Sequence, residues 1–597
     1  MPTVDLSYDT ALGSFPSSEQ TLFRVFAPNA KELHIHHGRN IGDLGGTLAA
    51  AEVESGLWEA AVPGNLHGHF YTLSVEPKER FGLREEDFRA ILDPYALACY
   101  DTTSTGIILD RSELPTVKEI YSPPAPRDLI ILEGHLRDLL GLSSKGPERP
   151  TYDAFCRWLR EEDNYLCRLG VNALELQPLQ EYEDSNGGGY HWGYMPVNYF
   201  SPSGAYAIHR ECASQVADFA ALVEACHARG LAVILDVVYN HLGNPNPLLC
   251  LGGHSFFRTN SAGELSNCSG CGNDLRTEAP MVRKLILDSL VHLLRTYGVD
   301  GFRFDLAELI DEKTRGAIED TLHRIRPNVI LIAEPWSFRG HCAENLRETT
   351  WSSWNDDFRD SVRGYVRGEG GRDGLKYFLG GSVGKRNRLP QQSVNYTASH
   401  DDRTWIDSIT ENANFDGTNP TDLDLRRTRL MFAILFCCNG IPLLAQGQDF
   451  CHSKGGVANT YRDGARNELL RDRLGQFDGL HRYVVDWIHL RRSELGKLLR
   501  LGTATGSGFF LHFEANGSSC ALGTLYNAAG EGRLLFLCNP ERHAVRFDLR
   551  GLLGREQFRP IANGEHFYAF PPNHTLQEFQ ELEAVDCELW SLEGPFS

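Results

Sequence analysis

The sequence predicts an α/β protein built around a (β/α)8 TIM barrel, with a β-sandwich before the barrel and an antiparallel β-domain after it. From residue 129 to about residue 497, short apolar strands alternate with amphipathic helical stretches. On either side of this region apolar and polar positions alternate, as in TLFRVFAP and GFFLHFEA. Four apolar runs inside the region stop abruptly on polar side chains, which is typical of parallel strands that end at one rim of a barrel.

These patterns predict three domains: a β-sandwich over 1–115, a barrel over 116–497 and a C-terminal β-sandwich over 498–597. A segment rich in Gly, Pro, Asn and Ser, at about 242–280, is expected to be an insertion over the rim after the third strand. A second long loop is expected over 180–210. The eight barrel strands are predicted at 130–132, 173–176, 232–238, 301–305, 329–333, 351–355, 394–399 and 441–444.

The four runs with polar ends are DVVYNH, ending at His241, GFRFD, ending at Asp305, IAEPW, around Glu334, and SHD, ending at Asp401. Asp305 and Glu334 are 29 residues apart, the length of one strand–helix–strand step, and the longer intervals leave room for an insertion. A single acid at a strand end is more often a helix cap or a loop ion pair. Four such runs in order, most with a second polar partner, predict instead that three acids converge.

Size, charge and composition restrict the class of protein. A chain of 597 residues with 42% apolar residues forms two or three soluble domains. Its net charge of −21 argues against binding nucleic acid or an acidic membrane surface, and a neutral substrate fits better. The first residues carry no basic or apolar leader pattern and no segment is apolar enough to cross a membrane, so a cytoplasmic location is expected. The sequence leaves the oligomeric state open.

The 15 cysteines are scattered, and many lie in apolar runs, as Cys437 and Cys438 do, so no disulfide framework is expected. Cys268 and Cys271 have the spacing of zinc ligands, but no second Cys or His pair follows to complete a site. No dense run of oxygen ligands resembles a calcium loop. The sequence therefore predicts no obligatory metal and no cofactor.

The paired acids suit the cleavage of a glycosidic bond, which needs one ionised carboxylate at the anomeric carbon and one protonated carboxyl at the leaving oxygen. Asp305 lies two residues from Arg303, so both side chains point to the same face of a strand and the guanidinium can keep the carboxylate ionised. Asp305 is the predicted nucleophile. Glu334 lies between Ala333 and Pro335, an apolar setting that would keep it protonated, and it is the predicted acid and base.

Further side chains are predicted to hold the substrate. Asp401 is a third carboxylate, with His241 and His400 as hydrogen-bond donors at the same sugar. The aromatic block YHWGYMPVNYF offers ring faces for stacking on a pyranose, with Tyr194 the first candidate and Trp192 the second. Aromatic residues at this density are as often part of the core.

In the order of these four blocks the sequence resembles the alpha-amylase superfamily. The resemblance covers about residues 125–495 and implies a retaining glycoside hydrolase, with Asp305 as nucleophile, Glu334 as acid and base, and Asp401 as stabiliser of the transition state. It implies further substrate-binding residues, which are Tyr194, Trp192, Asp236, Asn240, His241, Arg303, Trp336 and His400. FRVFAPNAKELHIH is similar to the starch-binding-like β-sandwich module that precedes the barrel in some members, which implies that residues 1–115 form such a module and that the barrel is the catalytic domain.

Finer features resemble the debranching branch, the pullulanases and isoamylases, in HLRDL at 135–139, SGCGNDLRTEAPMVRK and AEPW. This resemblance implies cleavage of α-1,6 linkages in a branched α-glucan. An α-1,4-glucan hydrolase or 4-α-glucanotransferase remains the alternative, because the acids are shared across the superfamily, and a non-catalytic glucan-binding protein is a more remote one. The chain departs from the family after Asp401, where Asp402 replaces the usual Asn. This extra charge is expected to alter Asp401 or to bind Arg403.

Overall fold

The computed structural model describes residues 10–117, 121–145, 149–183, 189–530, 532–552, 558–568 and 575–592. The first nine residues, which carry much of the expectation about a leader, lie outside this range. Among the described residues, no helix combines the length and the apolar character needed to cross a membrane.

Eight parallel strands form a closed barrel, which confirms the predicted fold class. Their order around the barrel follows the chain. The strands are Ile131–Gly134, Ala173–Leu176, Ala232–Val237, Gly301–Phe304, Ile330–Ala333, Ser352–Asn355, Ser393–Asn395 and Ile441–Ala445. The seventh strand has three residues, whereas the predicted run 394–399 has six. Its ladder ends where Asn395 pairs with Pro442, which has no N–H to extend the pairing.

Helices of at least five residues accompany the barrel strands. They are Tyr152–Leu159, Tyr165–Leu169, Ser214–Ala228, Pro247–Gly252, Pro280–Tyr297, Glu312–Ile325, Asp356–Val366, Arg372–Leu379, Trp405–Ile409, Asp422–Cys437, Arg471–Gln476 and Asp478–Arg492. Two one-turn helices are Leu136–Leu139 and Gly464–Asn467. Side-chain caps start several of them, as Asp311 does by accepting the Thr314 N–H.

Two four-stranded sheets precede the barrel, as the alternating pattern predicted. Their strands are Gly13–Pro16, Gln20–Phe26, Ala30–Gly38, Gly46–Ala49, Ala51–Glu54, Leu57–Pro63, Phe70–Pro77 and Gly106–Ile107. Phe23 and Val25 from one sheet and Leu33, Ile35 and Tyr71 from the other belong to one buried cluster. The two sheets therefore share a core.

The loops after the second and third barrel strands carry structure of their own. The expected loop over 180–210 instead contains an antiparallel pair, Gln180–Tyr182 with Pro196–Pro202. The pair is short and irregular, with a register shift at each step, so it left no regular alternation in the sequence. The expected insertion over 242–280 holds the short helix Pro247–Gly252 and isolated bridges such as Phe257 with Leu275.

The C-terminal region forms one seven-stranded antiparallel sheet. Its strands are Phe510–Asn516, Leu522–Tyr526, Arg533–Asn539, Val545–Asp548, Phe558–Asn563, Phe579–Leu582 and Asp586–Leu592. The described chain separates into two compact units, of which the second consists of 124–146, 162–174 and 343–597. These units do not follow the three predicted domains, whose boundaries stay a prediction.

A buried acid in the first sheet region predicts a pH-dependent stability. Asp93 is 2% exposed and accepts hydrogen bonds from Tyr71 Oη and Tyr95 N, both at 2.9 Å. Burial raises the pKa of Asp93 to about 6. The folded protein therefore binds this proton more tightly than the unfolded chain, and the contribution of Asp93 to stability falls as pH rises from about 4 to about 6.

Asp93→Asn removes this titration. Relative to the unchanged protein, the variant should gain stability as pH rises through that window, by at most about 3 kcal/mol. Urea unfolding of both proteins at several pH values between 4.5 and 7.5 measures the difference. Parallel stability profiles over that range would contradict the assignment.

Candidate active site

Arg303 lies at the centre of the acid-bearing rim. Its guanidinium is fully buried, and Nη1 donates to both carboxylate oxygens of Asp236 at 2.9 Å. The same nitrogen lies 3.1 Å from Asp305 Oδ1, and Nη2 lies 3.0 Å from Glu334 Oε2. Burial opposes the charged form, but the surrounding carboxylates, led by Asp236 and Glu334, raise the pKa of Arg303 well above its ordinary value. One permanent cation therefore holds three acids.

The barrel ladder explains this convergence. Asp236 in the third strand pairs with Arg303 in the fourth, and Arg303 pairs with Ile332 in the fifth. Asp305 follows Arg303 by two residues, so both side chains point the same way, as predicted. Glu334 comes directly after the fifth strand. The residues thus meet because their strands end at the same rim.

Asp305 is held from two sides. Asn240 Nδ2 donates to Asp305 Oδ2 and to its backbone oxygen, both at 2.8 Å, while Oδ1 faces Arg303. The Asp305 side chain remains 13% exposed. Its carboxylate is therefore oriented by hydrogen bonds on both oxygens and still reaches solvent.

The setting of Glu334 differs from the sequence expectation. Its neighbours in the chain predicted an apolar surrounding, but Oε2 contacts Arg303 and accepts the Leu306 N–H at 2.8 Å. Leu306 has a left-handed backbone, with φ of 41°, which turns its N–H toward this carboxyl. The expectation was wrong because polar groups reach Glu334 from the fourth strand, which the local sequence does not reveal. The side chain is 3% exposed.

Tyr194 and His241 complete this group. Tyr194 Oη donates to Asp236 Oδ2 at 2.5 Å, and Arg303 lies 5.9 Å from the centre of its half-buried ring. His241 Nε2 lies 2.7 Å from the backbone oxygen of Tyr194, and Nδ1 lies 2.5 Å from Asn240 Oδ1. These contacts connect the loop after the second strand to the nucleophile candidate.

The two tryptophans predicted to bind substrate are placed differently from each other. Trp192 is only 4% exposed, so the expectation that it presents an open ring face is wrong. The aromatic block YHWGYMPVNYF contains both core residues and rim residues, and their spacing in the sequence does not show which are which. Trp336 is half-buried, and its ring centre lies 6.4 Å from that of His341.

His400 and Asp401 form a second group with Glu133. His400 Nδ1 lies 2.5 Å from Glu133 Oε1, and Nε2 lies 3.1 Å from Asp401 Oδ1. Burial disfavours the charged ring, but Asp401 and Glu133 outweigh burial and raise the pKa of His400 well above its usual value. The two carboxylates therefore favour the charged form of the His400 ring. The Asp401 side chain is 57% exposed and available to a ligand.

Neither group is arranged around a metal. Within the described ranges, no set of three or more His, Cys, Asp or Glu side chains is positioned to hold a metal ion. Cys268 and Cys271 are both partly exposed and unpaired, and Asp274 accepts the N–H of Cys268 at 2.6 Å. The loop that contains the two cysteines is therefore held by hydrogen bonds to Asp274.

Comparison with known proteins gives consistent relatives. Residues 11–96 match carbohydrate-binding module 48, the isoamylase N-terminal domain. The pullulanase of Bacillus subtilis strain 168 is 29% identical over 537 residues, which cover 83% of this chain and 73% of that protein. The crystal structure of pullulanase type I from the same strain, complexed with maltose, has a TM-score of 0.86 at 25% identity and covers 98% of this chain and 86% of that one. The chain is similar over most of its length to a pullulanase, in sequence and in fold.

A plant isoamylase is also similar to this chain. Isoamylase SU1 from Zea mays, a chloroplastic protein, is 29% identical over 504 residues, which cover 68% of this chain. This chain spans 62% of the length of that isoamylase. The predicted resemblance to the debranching branch of the alpha-amylase superfamily is therefore confirmed.

Sequence reasoning missed two residues that organise the second group. Glu133 interrupts the apolar run LIILEGHL at the end of the first barrel strand, the same signal that identified the other acids. Lys454 is 5% exposed, and its Nζ donates to the backbone oxygens of His400 at 2.6 Å and Asp402 at 3.3 Å. No local pattern marks it.

The HLRDL motif at 135–139 lies in the second compact unit, which also contains Glu133, His400 and Asp401. His135 Nδ1 lies 3.3 Å from Asp138 Oδ2, and Gln446 Nε2 donates to the same oxygen at 2.9 Å. His135 and Asp138 are each 1% exposed. This buried pair anchors the turn that follows the first barrel strand.

Asp402, which replaces the usual Asn, does not bind the Arg403 guanidinium. Its Oδ2 pairs with Arg363 Nη1 at 3.0 Å, and its Oδ1 accepts the Arg403 N–H. The Arg403 side chain instead donates to Gly456 O and lies 4.5 Å from the ring centre of Phe415. Asp402 therefore does bind Arg403, as one of the two alternatives predicted, but only through the backbone N–H. Its ion pair is with Arg363, which is 39 residues away in sequence and close only in the fold.

The charge of His400 gives a testable prediction. Replacing Glu133 by Gln removes one of the two anions that raise the pKa of the ring, so this pKa should fall. NMR titration of histidine-labelled protein measures it, with the His400→Gln variant assigning the resonance. Glu348→Gln, which changes an exposed acid in the same compact unit, is the control. An unchanged His400 titration in Glu133→Gln would refute the assignment.

Proposed function

We propose that the chain is a retaining glycoside hydrolase that cleaves α-1,6-glucosidic branch linkages by double displacement. The single observation that carries this proposal is the contact of one buried guanidinium, Arg303, with both Asp305 and Glu334. Two carboxyl groups within reach of one guanidinium suit the close pair that a retaining mechanism needs. The relatives named pullulanase and isoamylase support the α-1,6 linkage.

In the first step Asp305 attacks the anomeric carbon while Glu334 gives its proton to the leaving glycosidic oxygen. One chain leaves with that proton, and the other remains as a glycosyl ester on Asp305. In the second step Glu334 takes a proton from water, and the resulting hydroxide oxygen displaces Asp305. The product keeps the anomeric configuration of the substrate.

The Arg303 contact fits both roles of Glu334. Before attack, Glu334 shares the Arg303 guanidinium with Asp236 and Asp305. Once Asp305 is esterified its negative charge is gone, and the remaining pull of Arg303 favours ionised Glu334, which is the form a base requires. The same side chain therefore changes role as its neighbour changes charge.

The second group supplies binding in this proposal. Exposed Asp401 would accept sugar hydroxyls and favour the distorted ring, while His400 would hold the Asp401 carboxylate through Nε2. Tyr194 would stack on the sugar at the cleaved bond, and His241 would fix the tyrosine loop. Trp336 is a further substrate contact, whereas buried Trp192 would act by supporting the loop.

The substrate in this proposal is a branched α-glucan such as pullulan, a limit dextrin or a glycogen- or starch-type polymer. The carbohydrate-binding module match over 11–96 and the maltose complex of the Bacillus subtilis relative support a glucan ligand. We also propose a cytoplasmic location, which the scattered free cysteines favour.

The acid roles are tested by substitution. Asp305→Asn and Glu334→Gln should each lower kcat by roughly a thousandfold or more, with much of the ground-state binding retained. Asp300→Asn is the control, because Asp300 is equally buried but lies at the opposite end of the fourth strand, paired with Arg326 at 3.2 Å. It should reduce stability and leave kcat of the folded enzyme near normal. Unaltered rates in both acid variants would end the assignment.

The linkage is tested with two polymers. Pullulan should be cut to maltotriose, and linear amylose should be cut poorly or not at all. Proton NMR of the first product should show the α-anomer before it equilibrates. Ready cleavage of amylose without pullulan cleavage would favour the α-1,4 hydrolase, and chain lengthening without new reducing ends would favour the glucanotransferase. Binding with no turnover of any glucan would favour the non-catalytic protein.

A further inference from the structure

A segment after the eighth barrel strand, which begins at Lys454 and ends at Asn459, holds the backbone around Asp401. Lys454 Nζ donates to the backbone oxygens of His400 at 2.6 Å and of Asp402 at 3.3 Å. The backbone N–H of Asn459 donates to Asp401 O at 3.0 Å. Three consecutive carbonyl groups of the SHDD motif are therefore bonded to this one segment.

These bonds matter for Asp401 because its side chain is 57% exposed. A carboxylate with so much solvent contact is restrained little by packing, so its position depends on the backbone that carries it. We propose that Lys454 is a positioning residue of the reaction, which fixes the Asp401 carboxylate where the transition state requires it. This inference rests on the proposed hydrolase function, in which Asp401 favours the distorted sugar ring.

The chemistry of a lysine suits this position. An ammonium has three donors and no acceptor, so one nitrogen can bond two carbonyl groups that lie two residues apart in the chain. Lys454 is 5% exposed, and burial lowers its pKa below the ordinary value. Four carboxylates act in the opposite direction and favour the ammonium, which are those of Glu133, Asp138, Asp401 and Asp407.

Asp407 fixes the start of the segment. This fully buried carboxylate accepts the Lys454 N–H at 2.8 Å through Oδ2 and the Ser453 hydroxyl at 2.6 Å through Oδ1. It also accepts the Gly417 N–H at 2.7 Å. The Lys454 backbone is therefore held in one place, from which its side chain reaches the two carbonyl groups.

Two glycines turn the segment back toward the motif. Gly455 and Gly456 have φ of 65° and 78°, a conformation that favours glycine. A Cβ on Gly456 would overlap Asn414 O, so no side chain fits there. Asn459 is also left-handed, with φ of 53°, which Asn adopts more readily than most residues. The turn brings the Asn459 N–H to Asp401 O.

Pullulan cleavage by substituted enzymes tests the proposal. Lys454→Met removes the donors and keeps most of the side-chain volume. It should lower kcat and kcat/KM together by roughly a hundredfold, the effect of a displacement of about 1 Å in an active site. Lys454→Gln keeps amide donors without the charge and should lower kcat by only roughly tenfold. Lys497→Met, which changes an exposed lysine of the same compact unit, is the control and should leave kcat unchanged.

A double-mutant cycle separates positioning from a role in stability alone. In the Asp401→Ala background, Lys454→Met should lower kcat less than roughly threefold, because the carboxylate that it positions is already gone. A lysine that served only the fold would give losses that multiply. Circular dichroism and urea unfolding check that each variant is folded, and Lys454→Gln replaces Lys454→Met in the cycle if the latter is not.

Hydrogen exchange gives a readout that does not depend on turnover. In folded Lys454→Met the Asn459 amide, which donates to Asp401 O, should exchange faster. The His400 amide, which donates to Glu133 Oε2 at 3.1 Å, should do the same. The amides of strand Arg533–Asn539 in the same compact unit are the reference and should not change.

The outcomes are separable from those of the proposed function. Normal kcat in both Lys454 variants, or fully multiplicative losses in the cycle with Asp401→Ala, would overturn the positioning role while pullulan cleavage by the unmodified enzyme upheld the hydrolase. If the unmodified protein cleaved no glucan, the proposed hydrolase would fail. Faster exchange at Asn459 and His400 would then still support Lys454 as the residue that fixes the Asp401 backbone, and unchanged exchange would overturn that as well.

Discussion

The active rim depends on the burial of one guanidinium. A cation with no solvent contact is stable only when anions and hydrogen-bond acceptors surround it, and Arg303 has Asp236, Asp305 and Glu334. Three acids around one base leave an excess of negative charge. That excess favours a proton on one carboxyl and stabilises positive charge developing at an anomeric carbon. The same electrostatic requirement thus organises the fold locally and suits the proposed reaction.

Much of this arrangement could be predicted because barrel geometry converts sequence position into spatial position. Asp236, Arg303, Asp305 and Glu334 all lie at or just beyond strand ends, and the two-residue spacing of Arg303 and Asp305 fixes their common side. The eight strands were identifiable for the same reason: buried parallel strands are continuous apolar runs. The periodicity of helices and strands in the sequence was sufficient to predict the fold class.

The remaining features depend on contacts between segments distant in sequence. Glu334 contacts Arg303 and accepts the N–H of Leu306. Its apolar neighbours in the sequence therefore predicted the polarity of its surroundings wrongly. Lys454 reaches the backbone of His400 across 54 residues. Arg363 neutralises Asp402 from a separate helix. Ion pairs between distant segments have no periodic signature, and only the fold shows which charges meet.

Asn240 shows how the parts of the rim are supported by the rest of its compact unit. Its side chain orients Asp305, while its backbone oxygen accepts the N–H of Leu275 at 2.8 Å. The next residue, Arg276, donates its N–H to Phe256 O within the same insertion. A continuous set of hydrogen bonds therefore runs from this insertion to the nucleophile candidate. Because each bond uses backbone atoms or a buried amide, the position of Asp305 is set by the insertion after the third strand as well as by its own strand.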